Sequence, residues 1–282
     1  MNSRKPLVAF LLLVFCTSSL LAQTRIGGAD TLIYLGQRFV EQYRTKRPDQ
    51  EFRVLGRGAV PAKTDDLDIL QIEGSTPSGK RISFAIAVQS IVVYVNKGNP
   101  VKELSVTQLR NIFLGNITNW KELGGPDRTI TLYAGESTTG NLAFFQDAVL
   151  HGEEPYPFVG KSNTKSLLEV IAADPAAIGY GTIDANPGVR ALPIKAGPAS
   201  VAVEPTVHNI RSRQYPITRH INWSLSPNAS QAAKDLSAWV LSSEGQLVTE
   251  GAGFQPVLPE ERSAGLFRLG IKELGTVAAR RK

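Results

Sequence analysis

The sequence predicts an α/β fold of two lobes joined by two crossings of the chain. Strand-like and helix-like stretches alternate along its length, the pattern of an α/β protein. Ile82 to Asn96 is an apolar, β-branched run, longer than an ordinary strand of about 5–6 residues. A strand that leaves one lobe and enters another explains that length. Ile221 to Leu225 is a second candidate crossing, which returns the chain to its first lobe. The 282 residues suffice for two compact units of roughly 100–150 residues each.

The elements follow in order. Gly27-Gly28-Ala29-Asp30-Thr31 is a turn into a helix that runs to about Lys46, with Asp30 or Thr31 as its cap and Leu35, Phe39, Val40 and Tyr43 as its apolar face. Phe52 to Leu55 and Asp68 to Ile72 read as short strands, separated by the turn Gly56-Arg57-Gly58. Ser105 and Gln108 form a capping box ahead of Leu109, Ile112 and Phe113, whose spacing makes one face of a short helix. Gly115 stops that helix, and Trp120 follows in a polar, glycine-rich turn. Thr129 to Ala134 and Ala177 to Tyr180 are buried-type strands. Asn141 to Leu150 is a helix with Leu142, Phe145 and Val149 inward, and Lys165 to Ala173 is another, ending at Asp174-Pro175. Ala232 to Leu241, with Leu236, Trp239 and Val240 on one face, a turn from Gln246 to Thr249, and Pro259 to Leu274 complete the helical set. The implied division is a leader over 1–22, a first lobe over 23–90, a second over 91–217, and a return to the first over 218–282.

The first 22 residues read as a secretory signal peptide. Arg4 and Lys5 precede the apolar stretch Pro6 to Phe15, small residues follow, and Ala22 precedes a plausible cut. Phe15 stands before Cys16 where a lipoprotein signal needs a small residue, so lipid anchoring is disfavoured and the mature chain is expected to be cysteine-free and periplasmic. Removing Arg4 and Lys5 lowers the formal charge from +6 by two. That modest charge, with no long basic run, argues against nucleic acid as a partner.

The stretch Ser105 to Gly125, SVTQLRNIFLGNITNWKELGG, resembles a segment of the bacterial phosphate-binding proteins of ABC transporters. Five further stretches are similar to that family in the same order: Gly28-Ala29-Asp30-Thr31-Leu32, Ala85 to Pro100, Ala177-Ile178-Gly179-Tyr180, Pro205-Thr206 through Tyr215-Pro216-Ile217-Thr218-Arg219, and Ser242 to Gly253. The resemblance implies a bilobed type II periplasmic-binding-protein fold. It also implies capture of phosphate or a related small oxyanion between the lobes for an inner-membrane ABC permease. No cofactor or metal, no catalysis and a monomer are expected.

An oxyanion site needs amide N–H groups at helix starts, where the helix dipole also favours negative charge. Thr31 and Leu32 at the first helix, and Thr138, Thr139, Gly140 and Asn141 ahead of Phe145, supply that pattern. The same residue types cap helices without any ligand. By the resemblance, Glu73 falls on an aspartate that accepts the proton of the bound anion, and Thr31 matches a ligand threonine. Three positions depart from the family. Gly135 stands where an arginine is usual, Ala59 where a serine is usual, and Glu73 is one methylene longer than the aspartate. Arg57 is a candidate to replace the lost charge from the opposite lobe, and equally reads as a solvated loop arginine. Ser90, in the first crossing, faces either the cleft or its own strand.

No arrangement for catalysis emerges. His151, His208 and His220 form no metal-spaced pair, and no nucleophile elbow or phosphate-binding loop is present. Glu153-Glu154 and Asp65-Asp66 read as solvated carboxylate pairs. The rival reading is a ligand-divergent protein of the same fold that acts as an envelope sensor or interaction module. The lost arginine and serine favour it, whereas the complete hinge and cleft-flanking stretches favour capture.

Overall fold

A computed structural model describes residues 23–56, 66–74, 79–135, 140–161 and 163–271. The expected leader, Arg57, Ala59, Thr138 and Thr139 lie outside the described residues.

In chain order the elements are β1 (Thr24–Gly28), α1 (Ile33–Arg44), β2 (Phe52–Leu55), β3 (Ile69–Glu73), β4 (Ile82–Ser90), β5 (Val92–Asn96), β6 (Leu104–Ser105), α2 (Val106–Phe113), β7 (Thr131–Gly135), α3 (Asn141–Ala148), β8 (Val159–Lys161), α4 (Thr164–Ala173), β9 (Ala177–Gly181), β10 (Val189–Ala191), β11 (Ile194–Lys195), α5 (Val207–Arg211), β12 (Thr218–Leu225), α6 (Gln231–Val240), α7 (Ser243–Gly251) and α8 (Pro259–Arg268). One five-stranded sheet has the order β2-β1-β3-β12-β4, and a second has the order β10-β5-β9-β7-β8. A short β11-β6 ladder stands apart.

The long apolar run splits as its length requires. β4 belongs to the first sheet and β5 to the second, with only Ile91 between them. Each sheet carries its own core. Phe39, Trp223, Ile86 and Leu236 pack in the first lobe, and Trp120, Phe145, Tyr180 and Val93 in the second. The two crossings are tied where they meet: Ile91 N donates to Ile217 O (3.0 Å), and Ser90 pairs with Thr218. A third segment lies alongside, because Val88 and Gln255 exchange backbone hydrogen bonds of 2.8 Å and Val257 is buried in the second lobe's core. Sequence reading had no signal for that contact.

Several local expectations are refined. The capping box of α2 is complete: Gln108 N donates to Ser105 Oγ (3.0 Å), and Ser105 N donates to Gln108 Oε1 (2.8 Å). Gly115 follows α2 with φ +77°, a backbone state glycine adopts without a Cβ penalty. α8 ends at Arg268, short of the expected Leu274, because Gly270 takes φ +79° just beyond it and stops the helix. In α3 the inward residues are Phe144 and Phe145, whereas Leu142 is 40% exposed. Neither Asp30 nor Thr31 occupies the cap position of α1. A single 3-10 turn, Asp30–Leu32, precedes it, and Leu32 occupies the cap position with no side-chain hydrogen bond.

Candidate functional site

The first wall of the site is built by sheet register. β12 is antiparallel to both β3 and β4, which pairs Arg219 with Gln89 and Ile221 with Glu73. The Arg219 side chain therefore emerges beside both partners. Its Nη2 donates to Glu73 Oε1 (2.8 Å) and its Nε donates to Gln89 Oε1 (2.9 Å). Thr31 Oγ1 donates to the same Glu73 oxygen. Thr31 is brought there by β1, which ends at Gly28 so close to β3 that a Cβ at Gly28 would lie 2.5 Å from Gln71 O. The hydroxyl expected to cap α1 is thus turned onto a carboxylate.

The second wall is the start of α3. Phe145 stacks on Tyr180 of β9 with centroids 3.9 Å apart, and Phe113 of α2 packs edge-on to both rings. This aromatic group fixes α3 against the second sheet. Gly140 precedes the helix with φ +70°, and a Cβ there would lie 2.4 Å from the Thr31 Cβ. Only glycine combines that backbone state with so close an approach to the opposite lobe. Two further contacts span the junction. Gln89 Nε2 donates to Asn141 Oδ1 (3.2 Å), and the Arg219 guanidinium carbon lies 4.1 Å from the Phe144 ring centroid.

Helix starts differ by location. α2, α4, α5, α6 and α7 are capped by the side chains of Ser105, Asn163, Thr206, Ser230 and Ser242. α8 has Leu258 at the cap position without a cap bond of its own, but Glu261 closes that start by accepting from Leu258 N (3.0 Å). α1 and α3, whose starts meet at the lobe junction, have Leu32 and Gly140 at the cap position and no side-chain cap bond. A helix start carries a partial positive charge that favours anions, and at α1 the Leu32 amide is already given to Ala29 O (2.9 Å).

Of the residues predicted from sequence, Thr31, Glu73, Gly140 and Asn141 are brought to this junction. Leu32 is not a donor there, because its side chain is buried in the first core and its amide is given to Ala29 O. Ser90 is not. It is buried at the end of β4 beside Gln89, and neighbouring strand residues face opposite sides, so Gln89 takes the side of the site. Arg57, Thr138 and Thr139 lie outside the described residues. Gly135, where the arginine is lost, ends β7 and pairs with Lys161. Sequence reading missed Arg219, Gln89 and Phe144. Arg219 stood in a recognised stretch, but only the pairing of β12 with β3 and β4 shows what it faces.

Burial pulls the Arg219 pKa below the usual arginine value, opposed by the nearby charges of Glu73 and Asp147. A cavity of about 380 Å³ lined by Lys102, Arg190, Pro193, Glu204 and Thr206 shares no residue with the site. The Arg190 guanidinium there is spent on the carbonyls of Asn99, Val101 and Lys102. Among the described residues no group of three or more His, Cys, Asp or Glu is placed to hold a metal, and no helix is long and apolar enough to cross a membrane.

Comparison with known proteins now bears on this geometry. A family model described as a PBP superfamily domain matches residues 22–244. The chain is 28% identical to the phosphate-binding protein PstS of Bacillus subtilis, covering 82% of this chain and 80% of that one. It is 24% identical to PstS of Pseudomonas aeruginosa, covering 88% and 85%. Among solved structures, a possible phosphate binding protein from Planctomyces limnophilus superposes with TM-score 0.74 at 21% identity, covering 89% of this chain and 99% of that one. An ABC-type phosphate transport receptor from Vibrio cholerae gives 0.68 at 21% identity, covering 84% and 100%. At such identities the structures speak to the shared bilobed α/β fold.

Proposed function

The chain belongs to the PBP superfamily, and from that premise we propose that it captures phosphate or a related oxyanion between its lobes and delivers it to an ABC permease. One observation carries this reading. Three described helix starts lack a side-chain cap bond. α8 is closed by Glu261, which accepts from Leu258 N (3.0 Å), and the other two, α1 and α3, meet at the lobe junction beside a carboxylate and a guanidinium. In this reading the amides of Thr31, Gly140 and Asn141 donate to the anion, whereas that of Leu32 is already given to Ala29 O (2.9 Å). The family resemblance adds Thr138 and Thr139 as further donors. Glu73 accepts the proton of a singly or doubly ionised phosphate, which a fully ionised sulfate lacks. The names of the curated relatives support phosphate as the ligand. The site binds and releases the anion without chemistry, as the phosphate-binding relatives' names suggest. The chain works in the periplasm, as a monomer, after removal of residues 1–22.

Thermal unfolding of the mature chain with phosphate, sulfate, molybdate and phosphonates tests the reading. A ligand that binds only the folded state raises the melting temperature. Phosphate is expected to raise it most. No shift with any anion would contradict capture and favour the sensor or interaction role.

A further inference from the structure

Anion capture at the lobe junction leaves one problem. The resemblance places a charge-bearing arginine at the position of Gly135, and glycine supplies no charge. A second cation lies within the same junction. Arg219 sits on β12, the returning crossing, with its side chain only 11% exposed. Its guanidinium touches groups from both lobes: Glu73 and Gln89 on one side, and the face of Phe144 at the first turn of α3 on the other. Through Glu73 it is one hydrogen bond from Thr31, and through Gln89 one from Asn141. Both uncapped helix starts are thus reached through a single intervening side chain.

The hydrogen-bond inventory leaves the guanidinium with capacity. Arginine carries five N–H donors in a planar fork. Nε is given to Gln89 and one Nη2 hydrogen to Glu73. Nη1 makes no hydrogen bond among the described residues. A largely buried guanidinium that pairs, among the described residues, with one carboxylate oxygen, and that keeps three donors unused there, both Nη1 hydrogens included, is arranged to receive an anion.

We propose that Arg219 is the cation of the oxyanion site, moved from the loop of the second lobe to the crossing strand. Its Nη1 edge donates to an anion oxygen, while the bonds to Gln89 and Glu73 and the Phe144 ring hold the fork in place. This inference rests on the capture reading and adds the residue that supplies its charge. The charge then belongs to the first lobe and the crossing, so it is in place before the second lobe closes.

Titration calorimetry with inorganic phosphate on the unaltered chain, Arg219→Met and Arg219→Lys tests it. A charge-assisted hydrogen bond predicts that Arg219→Met binds roughly tenfold to a hundredfold more weakly, with Arg219→Lys between, since lysine keeps the charge and loses the fork. The phosphate-induced rise in melting temperature shrinks in the same order, which loss of a purely structural ion pair would not cause. A folded Arg219→Met within twofold of the unaltered chain overturns the inference and leaves capture standing. An unaltered chain that binds no oxyanion overturns capture itself. If Arg219→Met does not fold, a crystal structure of the unaltered chain with phosphate decides. An anion oxygen within about 3 Å of Arg219 Nη1 supports the proposal, and an anion bound without contact to Arg219 overturns it.

Discussion

Five described helix starts with side-chain caps and the two uncapped starts at the lobe junction differ in how they spend their side chains, while an eighth, α8, is closed from within by Glu261 on Leu258 N. Away from the junction, Ser105, Asn163, Thr206, Ser230 and Ser242 spend a side-chain oxygen on the first turn of their helices. At the junction, Thr31 has a suitable oxygen and gives its proton to Glu73 instead, and Gly140 has no side chain at all. The first group follows what stability favours, since a cap contributes about 1 kcal/mol. The second group forgoes that gain in the one place where two such starts face each other. The difference separates the scaffold from the site without reference to any relative.

Substitutions at the two kinds of helix start should have separable effects. The largest effect is expected at Phe145, whose ring anchors the uncapped start of α3. Phe145→Ala removes a fully buried aromatic and its stack on Tyr180, and should cost about 3–5 kcal/mol in chemical unfolding. Phosphate affinity should fall with it, because α3 loses its fixed position. Thr31→Val should then part binding from stability. It removes the donor to Glu73 and leaves α1 without a cap it never had, so affinity should drop roughly tenfold while stability changes by less than about 1 kcal/mol. Ser105→Ala is its mirror image. It breaks a complete capping box in the second lobe and should cost about 1 kcal/mol with unchanged phosphate affinity. If Ser105→Ala weakened binding as much as Thr31→Val, the division between scaffold and site would fail.

The smallest effect concerns Glu261. Burial pushes its carboxyl pKa up, but the His220 imidazole and the Leu258 amide pull harder, and the net result lies below the usual glutamate value of 4.5. A depressed carboxylate pKa contributes stability that is present above the unfolded value and lost as pH falls through the folded one. Glu261→Gln should therefore lower the melting temperature by about 1–2 °C at pH 7. The gap should close as the pH is taken below 4.5. A gap that widened in acid would reverse the assignment.

The scaffold was legible in the sequence because its rules are local. The capping box Ser105 and Gln108, the apolar spacing of Leu109, Ile112 and Phe113, and the overlong run from Ile82 to Asn96 each follow from neighbours in the chain. The site was only half legible. Thr31, Glu73, Gly140 and Asn141 stand in recognisable stretches. Arg219 meets Gln89 from 130 positions away and Glu73 from 146, and only the antiparallel register of β12 brings them together. Leu142 was misplaced for a related reason. The apolar pattern at the start of α3 is interrupted by the junction, so Phe144 faces Arg219 and Leu142 is left at the surface.

The central claim is that the uncapped helix starts hold the anion, and amide NMR on the unaltered chain tests it most directly. On addition of phosphate, the N–H resonances of Thr31, Gly140 and Asn141 should move downfield together and saturate at one anion per chain. Those of Gln108, Ser166, Ala233 and Gly245, already bonded to their caps, should stay in place. Shifts confined to other residues, or none at saturating phosphate, would contradict the account.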